Sequence, residues 1–325
     1  MRLHAGAEMI NLFCVRPSFI HRVSRSVVIT LRPMTAADLG AVAGLLLRAF
    51  LPLQPRFSLP RSAFLQLCMD DAPAGAWVAE QGRELAGAVF GHNWGRIGWI
   101  GPLAVSPRHQ RHGIGSRLYR VAVQGLNESG CAIIGLDAED HVGITGFYQR
   151  LALPFSVGTL DGCKAVRPGS SDVDDLLIFS RSQEALFSDE WSALQRSLAR
   201  PFDLLPYVQR LHQHGLGESA VVMQEGCAKA LMILQTGPKL VNDRAAAARL
   251  QMCWHAPDME KRAVFAAAER LLRARYPACR YLYVRTIEDA SEWLVEGQCQ
   301  VIRRGRRWAT RTPEFLNDRY VWFWE

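Results

Sequence analysis

Apolar residues along this chain recur with two spacings, alternate positions and every third or fourth, and the switches between them mark the elements. Val28 to Leu31 reads as a β-strand, and Thr35 then precedes Asp38 and an apolar series at Leu39, Val42, Leu45, Leu46 and Ala49. That series predicts an N-capped amphipathic helix. Pro52, Pro55 and Pro60 interrupt the chain before a second helix over Ala63 to Met69. Ala76 to Glu80 and Leu85 to Gly91 flank Gln81, Gly82 and Arg83, which reads as an antiparallel hairpin. A strand follows over Ile97 to Val105. From Gly113 the apolar positions Ile114, Leu118, Val121, Ala122 and Gly125 have the spacing of a helix with one buried face. Cys131 to Leu136 predicts a short buried strand, Thr145 to Leu151 a helix, and Ser156 to Val166 a closing hairpin that turns at Asp161 and Gly162. The fold class implied is α/β with a mixed sheet.

The same order recurs from about Asp172. Ala220 to Leu234 can be laid over Ala76 to Phe90 with Gly226 in the place of Gly82. A strand over Leu250 to Trp254 follows. Pro257 then precedes a helix through Val264, Ala267, Leu271 and Leu272, and Tyr281 to Val284 predicts another strand. A helix over Ala290 to Val295 and a strand pair near Gln300 to Thr310 complete the set. Such recurrence implies two tandem domains of one type, over residues 28–170 and 171–325. The run Arg303, Arg304, Arg306 and Arg307 is expected on a solvated hairpin turn of the second. Residues 1–27 carry Arg2, Arg16, Arg22 and Arg25 around the short apolar stretch Met9 to Val15, too short for a secretory signal. A loosely ordered extension, or an upstream start codon, is expected there.

Composition narrows the classes. The 325 residues are 49% hydrophobic and 21% charged, enough to bury a core in each of two domains. No apolar run approaches the length that crosses a bilayer. Eight cysteines without a C-x-x-C pair argue against a zinc ribbon or disulfide scaffold, so no metal is expected and a reduced, cytoplasmic setting is. The net charge of +7 permits an anionic partner, whether nucleic acid, a membrane surface or a phosphorylated cofactor. Only four of the 38 basic residues are lysine; arginine's planar fork suits phosphate, but an Arg-rich codon bias filling ordinary surface accounts for the ratio more simply.

The segment Leu103 to Leu118 carries the chemistry: a strand end, a proline turn, then Gln110, Arg111, His112, Gly113, Ile114, Gly115 and Ser116 opening a helix. Unpaired N–H groups and the positive end of the dipole suit an anion there, and Gly113 and Gly115 remove Cβ atoms from its path. Neither a Walker loop nor a G-x-G-x-x-G pattern is present. At these residues the chain resembles the GNAT superfamily of N-acetyltransferases, whose Q/R-x-x-G-x-G/A motif is matched by Gln110, Gly113 and Gly115. A second family feature is similar to Leu136 to Leu153, where Phe147 and Tyr148 match, His141 stands where asparagine is common, and Leu151, Ala152 and Leu153 replace the usual tripeptide.

The resemblance implies that the backbone of Leu103, Ala104 and Val105 lines the pantetheine arm of acetyl-CoA. Gln110, Arg111, His112, Gly113, Ile114, Gly115 and Ser116 would hold the pyrophosphate. Tyr148 would reprotonate the departing thiolate. The strand glutamate that often serves as base is missing, which leaves Asp137, Glu139, Asp140, His141, His92 or water. The implied reaction moves an acetyl group to a primary amine of a small molecule; the alternative is a non-catalytic acyl-CoA-binding regulatory module. Nucleic-acid binding is not expected, for lack of a recognition helix or aromatic platform, and a homodimer is allowed. In the second domain Ala263, Phe265 and Gln298 fall where Gly113, Gly115 and Tyr148 stand, so that copy is expected to be degenerate.

Overall fold

A computed structural model describes residues 28–53, 58–197, 203–236, 247–311 and 320–322; the proposed extension, 1–27, lies outside them. In the first half the order is β1 (Ile29–Pro33), α1 (Leu39–Phe50), α2 (Ser62–Asp71), β2 (Trp77–Gln81), β3 (Glu84–Trp94), β4 (Ile97–Val105), α3 (Ile114–Glu128), β5 (Ile133–Glu139), α4 (Val142–Arg150) and β6 (Phe155–Ala165). The second half repeats it with β7 (Leu176–Ile178), α5 (Glu184–Ser197), α6 (Leu205–Gln213), β8 (Gly217–Gln224), β9 (Cys227–Thr236), β10 (Ala247–His255), α7 (Lys261–Arg275), β11 (Tyr281–Ile287), α8 (Glu292–Glu296) and β12 (Gln300–Ala309). A short β13 (Tyr320–Trp322) follows.

Local chemistry explains the starts. Thr35 N–H and Oγ1 both donate to Asp38 Oδ2 at 2.8 Å, so Asp38 holds the chain where it enters α1. Gly82 and Gly226, with φ of 62° and 75°, supply the left-handed residue of the two matching hairpins.

The strands join in one mixed sheet in the order β1-β2-β3-β4-β5-β12-β6-β11-β10-β9-β8-β7, with β13 added to β10. This order is a sequence of six read forwards and then backwards, except that the last strand of each half has crossed over. β12 pairs with β5 of the first half, β6 pairs with β11 of the second, and the two crossed strands pair with each other from Gln300↔Cys163 to Ala309↔Phe155.

Two expectations fail at this exchange. Ser156 to Val166 is no hairpin: Asp161 and Gly162 sit mid-strand in β6, with partners on both sides. Gly162 is there for closeness, since a Cβ would meet Leu294 Cδ2 of α8 at 2.6 Å. Gln300 to Thr310 is likewise one strand, β12, and its arginines are not on a solvated turn. Arg307 is buried, and Arg303 is drawn inward by Asp161 and Glu139.

In β3, Ala88 and Phe90 pack with α1, whereas Val89 packs with α3, so these helices cover opposite faces of the first half. The α2 face continues into the second half. Leu67, Trp94, Ile97 and Trp99 share a core with Trp191 of α5, Tyr207 and Leu211 of α6, and Trp254 of β10. Burial on this scale, where a Trp→Ala change costs about 3–5 kcal/mol, makes the halves one packed body.

Candidate acyl-donor cleft

β4 and β5 run parallel, yet they pair only from Ile97↔Ile133 to Trp99↔Gly135. Beyond that point each follows its outer neighbour. β4 stays on β3 as far as Val105↔Gly87, and β5 stays on β12 as far as Glu139↔Gly305. The two strands therefore diverge, and their facing edges go unpaired. Ser106 N–H donates to Ala86 O at 2.9 Å and Ala104 lies level with Ala88, so alternation turns the main-chain groups of Leu103 and Val105 away from β3 into the opening. Across from them, the Asp137 side chain is sealed while its residue as a whole is only half-buried, because the backbone lies open. An edge of free donors and acceptors accepts an extended amide-bearing chain by strand addition.

The loop after β4 continues the cleft. Gln110 Nε2 donates to Val105 O at 3.2 Å, tying the loop to the strand end. Arg111 and Gly113 both adopt left-handed backbone, with φ of 64° and 75°. At Arg111 this costs on the order of 1–2 kcal/mol, strain of the kind that recurs at ligand clamps. Gly113 is the N-cap of α3, and a Cβ there would meet nothing within 4 Å, so its backbone angle and not crowding calls for glycine. Gly115 differs: a Cβ there would sit in ordinary contact with the Phe147 ring at 3.4 Å and Val105 Cγ2 at 3.6 Å, so a methyl group fits and a bulky side chain would press on one of them. His112 Nδ1 donates to His109 O at 3.3 Å within the turn. Arg117 N–H on Gly113 O (3.1 Å) closes the first turn of α3, so the N–H groups of Ile114, Gly115 and Ser116 have no acceptor in the helix. With no acid in that turn and Arg108 and Arg111 exposed beside it, the loop fits a pyrophosphate.

Residues 42–152, which span this cleft and loop, match the model of the Acetyltransferase (GNAT) family. Residues 42–152 form a GNAT-type domain. No curated protein sequence matches it. Among solved structures it is similar to a candidate acetyltransferase from Pyrococcus horikoshii, with a TM-score of 0.63 and 16% identity over 97% of both chains. It is also similar to a tandem GNAT protein from the clavulanic acid biosynthesis pathway, with a TM-score of 0.57 and 16% identity over 87% of this chain and 98% of that one. N-myristoyltransferase from Saccharomyces cerevisiae with bound myristoyl-CoA gives a TM-score of 0.61 at 8% identity, over 86% of this chain and 78% of that one. At such identities the likeness is one of fold: two GNAT-like halves in tandem.

In the GNAT domain, α4 brings Tyr148 beneath the cleft. Its ring lies edge-on to Phe147 at 4.9 Å and 6.1 Å from Trp308, a residue of the exchanged strand β12. Burial, with Tyr119 nearby, pushes the Tyr148 hydroxyl well above the usual phenol range. Among the described residues no group hydrogen-bonds it. The hydroxyl is therefore protonated at neutral pH and its oxygen is uncommitted, the state a donor must start from, although burial weakens it as an acid.

The residues considered for the base are mostly engaged. His141 caps α4, accepting Gly143 N–H on Nδ1 at 3.2 Å. Asp137 is gripped by Arg307 through two bonds of 2.8 and 2.9 Å, and Glu139 receives Arg303 Nη1 at 2.7 Å. His92 is buried between Asp71 and Gly101. Asp140 accepts Thr145 Oγ1 at 3.3 Å and is exposed. Sequence reading missed these arginine clamps because they come from β12, more than 160 residues away.

The equivalent cleft of the second half is taken. β10 and β11 pair only from Ala247↔Tyr281 to Leu250↔Val284, and then Met252, Cys253 and Trp254 pair instead with β13. Phe265 lies in the core against Trp293 at 6.0 Å, and a Cβ on Gly297 would meet its ring at 2.5 Å.

Proposed function

We propose that the protein is an acyl-CoA-dependent N-acyltransferase that moves an acetyl group from acetyl-CoA to a primary amine of a small molecule, in the cytoplasm. The observation that carries this reading is the continuity of the unpaired β4 edge with the left-handed loop and bare N–H groups at α3. The edge would take the two amides of pantetheine and the loop its pyrophosphate. Acetyl is the donor group by family resemblance.

The amine attacks the thioester carbon directly. The developing oxyanion is met by an N–H of Leu103 or Val105, the two that face the opening. As the carbon–sulfur bond breaks, Tyr148 returns a proton to the thiolate. With Asp137 and Glu139 held by arginine, water is the favoured carrier for the proton leaving the amine. The second half supplies β12 beside the cleft and is the degenerate copy.

The engagement of nearly every candidate base also supports a second reading, an acyl-CoA-binding regulatory module. Thiol release from acetyl-CoA across a panel of primary amines separates the two. The acyltransferase reading predicts release that depends on one class of amine; binding of CoA with no amine-dependent release supports the module instead.

A further inference from the structure

His92 is 2% exposed, and the cavity beside it, lined by Phe64, Cys68 and Tyr207 among others, measures about 10 Å³, room for one water molecule. No amine acceptor reaches it. Its ring is nevertheless fully used: Nδ1 lies 2.9 Å from Asp71 Oδ2 and Nε2 lies 2.9 Å from Gly101 O. The Gly101 carbonyl can only accept, so Nε2 is the nitrogen that donates to it. Asp71 is held in place by the guanidinium of Arg210, which comes from α6 of the second half, and by Trp94 Nε1, which donates to it at 3.2 Å. The Trp94 indole also stacks on the imidazole, 5.9 Å between centroids.

Gly101 is where β4 leaves regular pairing. Ile100 stands opposite Gly91 and Leu103 opposite Val89, so Gly101 and Pro102 together face the single residue Phe90. Pro102 has no N–H and a fixed φ. Between the Gly101 carbonyl and the Leu103 N–H there is thus one soft dihedral, and whatever holds the first aims the second.

We propose that His92 is a positioning residue for the thioester: clamped by Asp71 and Arg210, it holds the Gly101 carbonyl and so points the Leu103 N–H into the cleft. The second half would in this way reach the reacting carbonyl through Arg210, without touching substrate. This inference rests on the acyltransferase reading of the cleft.

The test uses acetyl-CoA labelled with ¹³C at the thioester carbonyl, bound to the full chain and followed by infrared difference spectroscopy beside calorimetry with CoA. His92→Leu is expected to bind CoA within about threefold of wild type, less than 1 kcal/mol, while the carbonyl band moves to higher wavenumber as its hydrogen bond is lost. His92→Gln, which keeps an N–H for Gly101, retains the wild-type band. Amine-dependent turnover falls by about 100-fold in His92→Leu with KM for acetyl-CoA little changed, the scale of losing one oxyanion donor. If His92→Leu does not fold, Arg210→Met carries the same test from the second half, with a partial shift expected. An unmoved band in His92→Leu, or in Arg210→Met where that variant stands in, overturns the proposal. A wild type that binds no acetyl-CoA overturns the acyltransferase reading itself, and this inference with it.

Discussion

Arg285 and Asp161 meet across β11 and β6 through two hydrogen bonds, 2.5 Å from Nε and 2.9 Å from Nη2, with side chains only 6% and 2% exposed. Asp161 also receives Arg303 Nε at 2.6 Å, and Arg285 reaches on to Asp137 at 3.4 Å. Through Arg307 on Asp137 and Arg303 on Glu139, three acids and three arginines alternate across β5, β12, β6 and β11. The network lies where the two halves exchange strands. A buried charge that loses its partner is far costlier than the pair was stabilising.

Arg285→Met should therefore destabilise the protein by about 3–5 kcal/mol, read as a fall in the urea midpoint. Arg304→Ala is the control. Arg304 is 67% exposed and pairs with Glu288 at the surface, so its loss should cost no more than about 1 kcal/mol.

The same network sets a response to acid. Burial alone would raise the Asp161 carboxyl, but Arg285 and Arg303 outweigh it and hold it below the ordinary carboxylate range. A group depressed in the folded state stabilises fully above its unfolded value, about 4, and that share is lost as pH falls through the folded value. Urea midpoints measured downward from neutral pH should decline below about pH 4, and Asp161→Asn, less stable at neutral pH, should show a shallower decline. An equal slope in the two proteins would remove Asp161 from the acid response.

Tyr148→Phe keeps the ring between Phe147 and Trp308 and removes only the hydroxyl. Amine-dependent turnover should fall by about 100-fold with CoA affinity unchanged. A wild-type rate would place the proton donor elsewhere.

Deleting residues 312–325 removes β13 and bares the main chain of Met252 to Trp254. An open strand edge invites pairing between molecules. The truncated chain should self-associate in sedimentation velocity, yet gain no second CoA site, because Phe265 stays packed on Trp293. A second CoA bound per chain after truncation would show that β13 alone blocks the second cleft.

Strands and helices that complete their hydrogen bonds locally were legible in the sequence. β4 has the predicted bounds Ile97–Val105, and α3 starts one residue after Gly113. The loop with Gly113 and Gly115 was readable because backbone angle and crowding act on the residue itself. β6 and β12 were not. Asp161-Gly162 and the Arg-Arg-Gly-Arg-Arg stretch look like polar turns when neighbours in sequence are the only context. Their charges are satisfied by one another, from residues 142 positions apart for Arg303 and Asp161. Similarly long separations hid Trp308 behind Tyr148 and Arg210 behind Asp71.

Calorimetric titration of CoA into the wild type and Gly115→Phe tests the central claim most directly, with thermal melting to confirm that both are folded. A phenyl group at that position must displace Phe147 or enter the loop beside Val105. The account predicts a single CoA per wild-type chain and no measurable binding to folded Gly115→Phe. Undiminished affinity in the variant would contradict it, because CoA would then lie outside the cleft between β4 and β5.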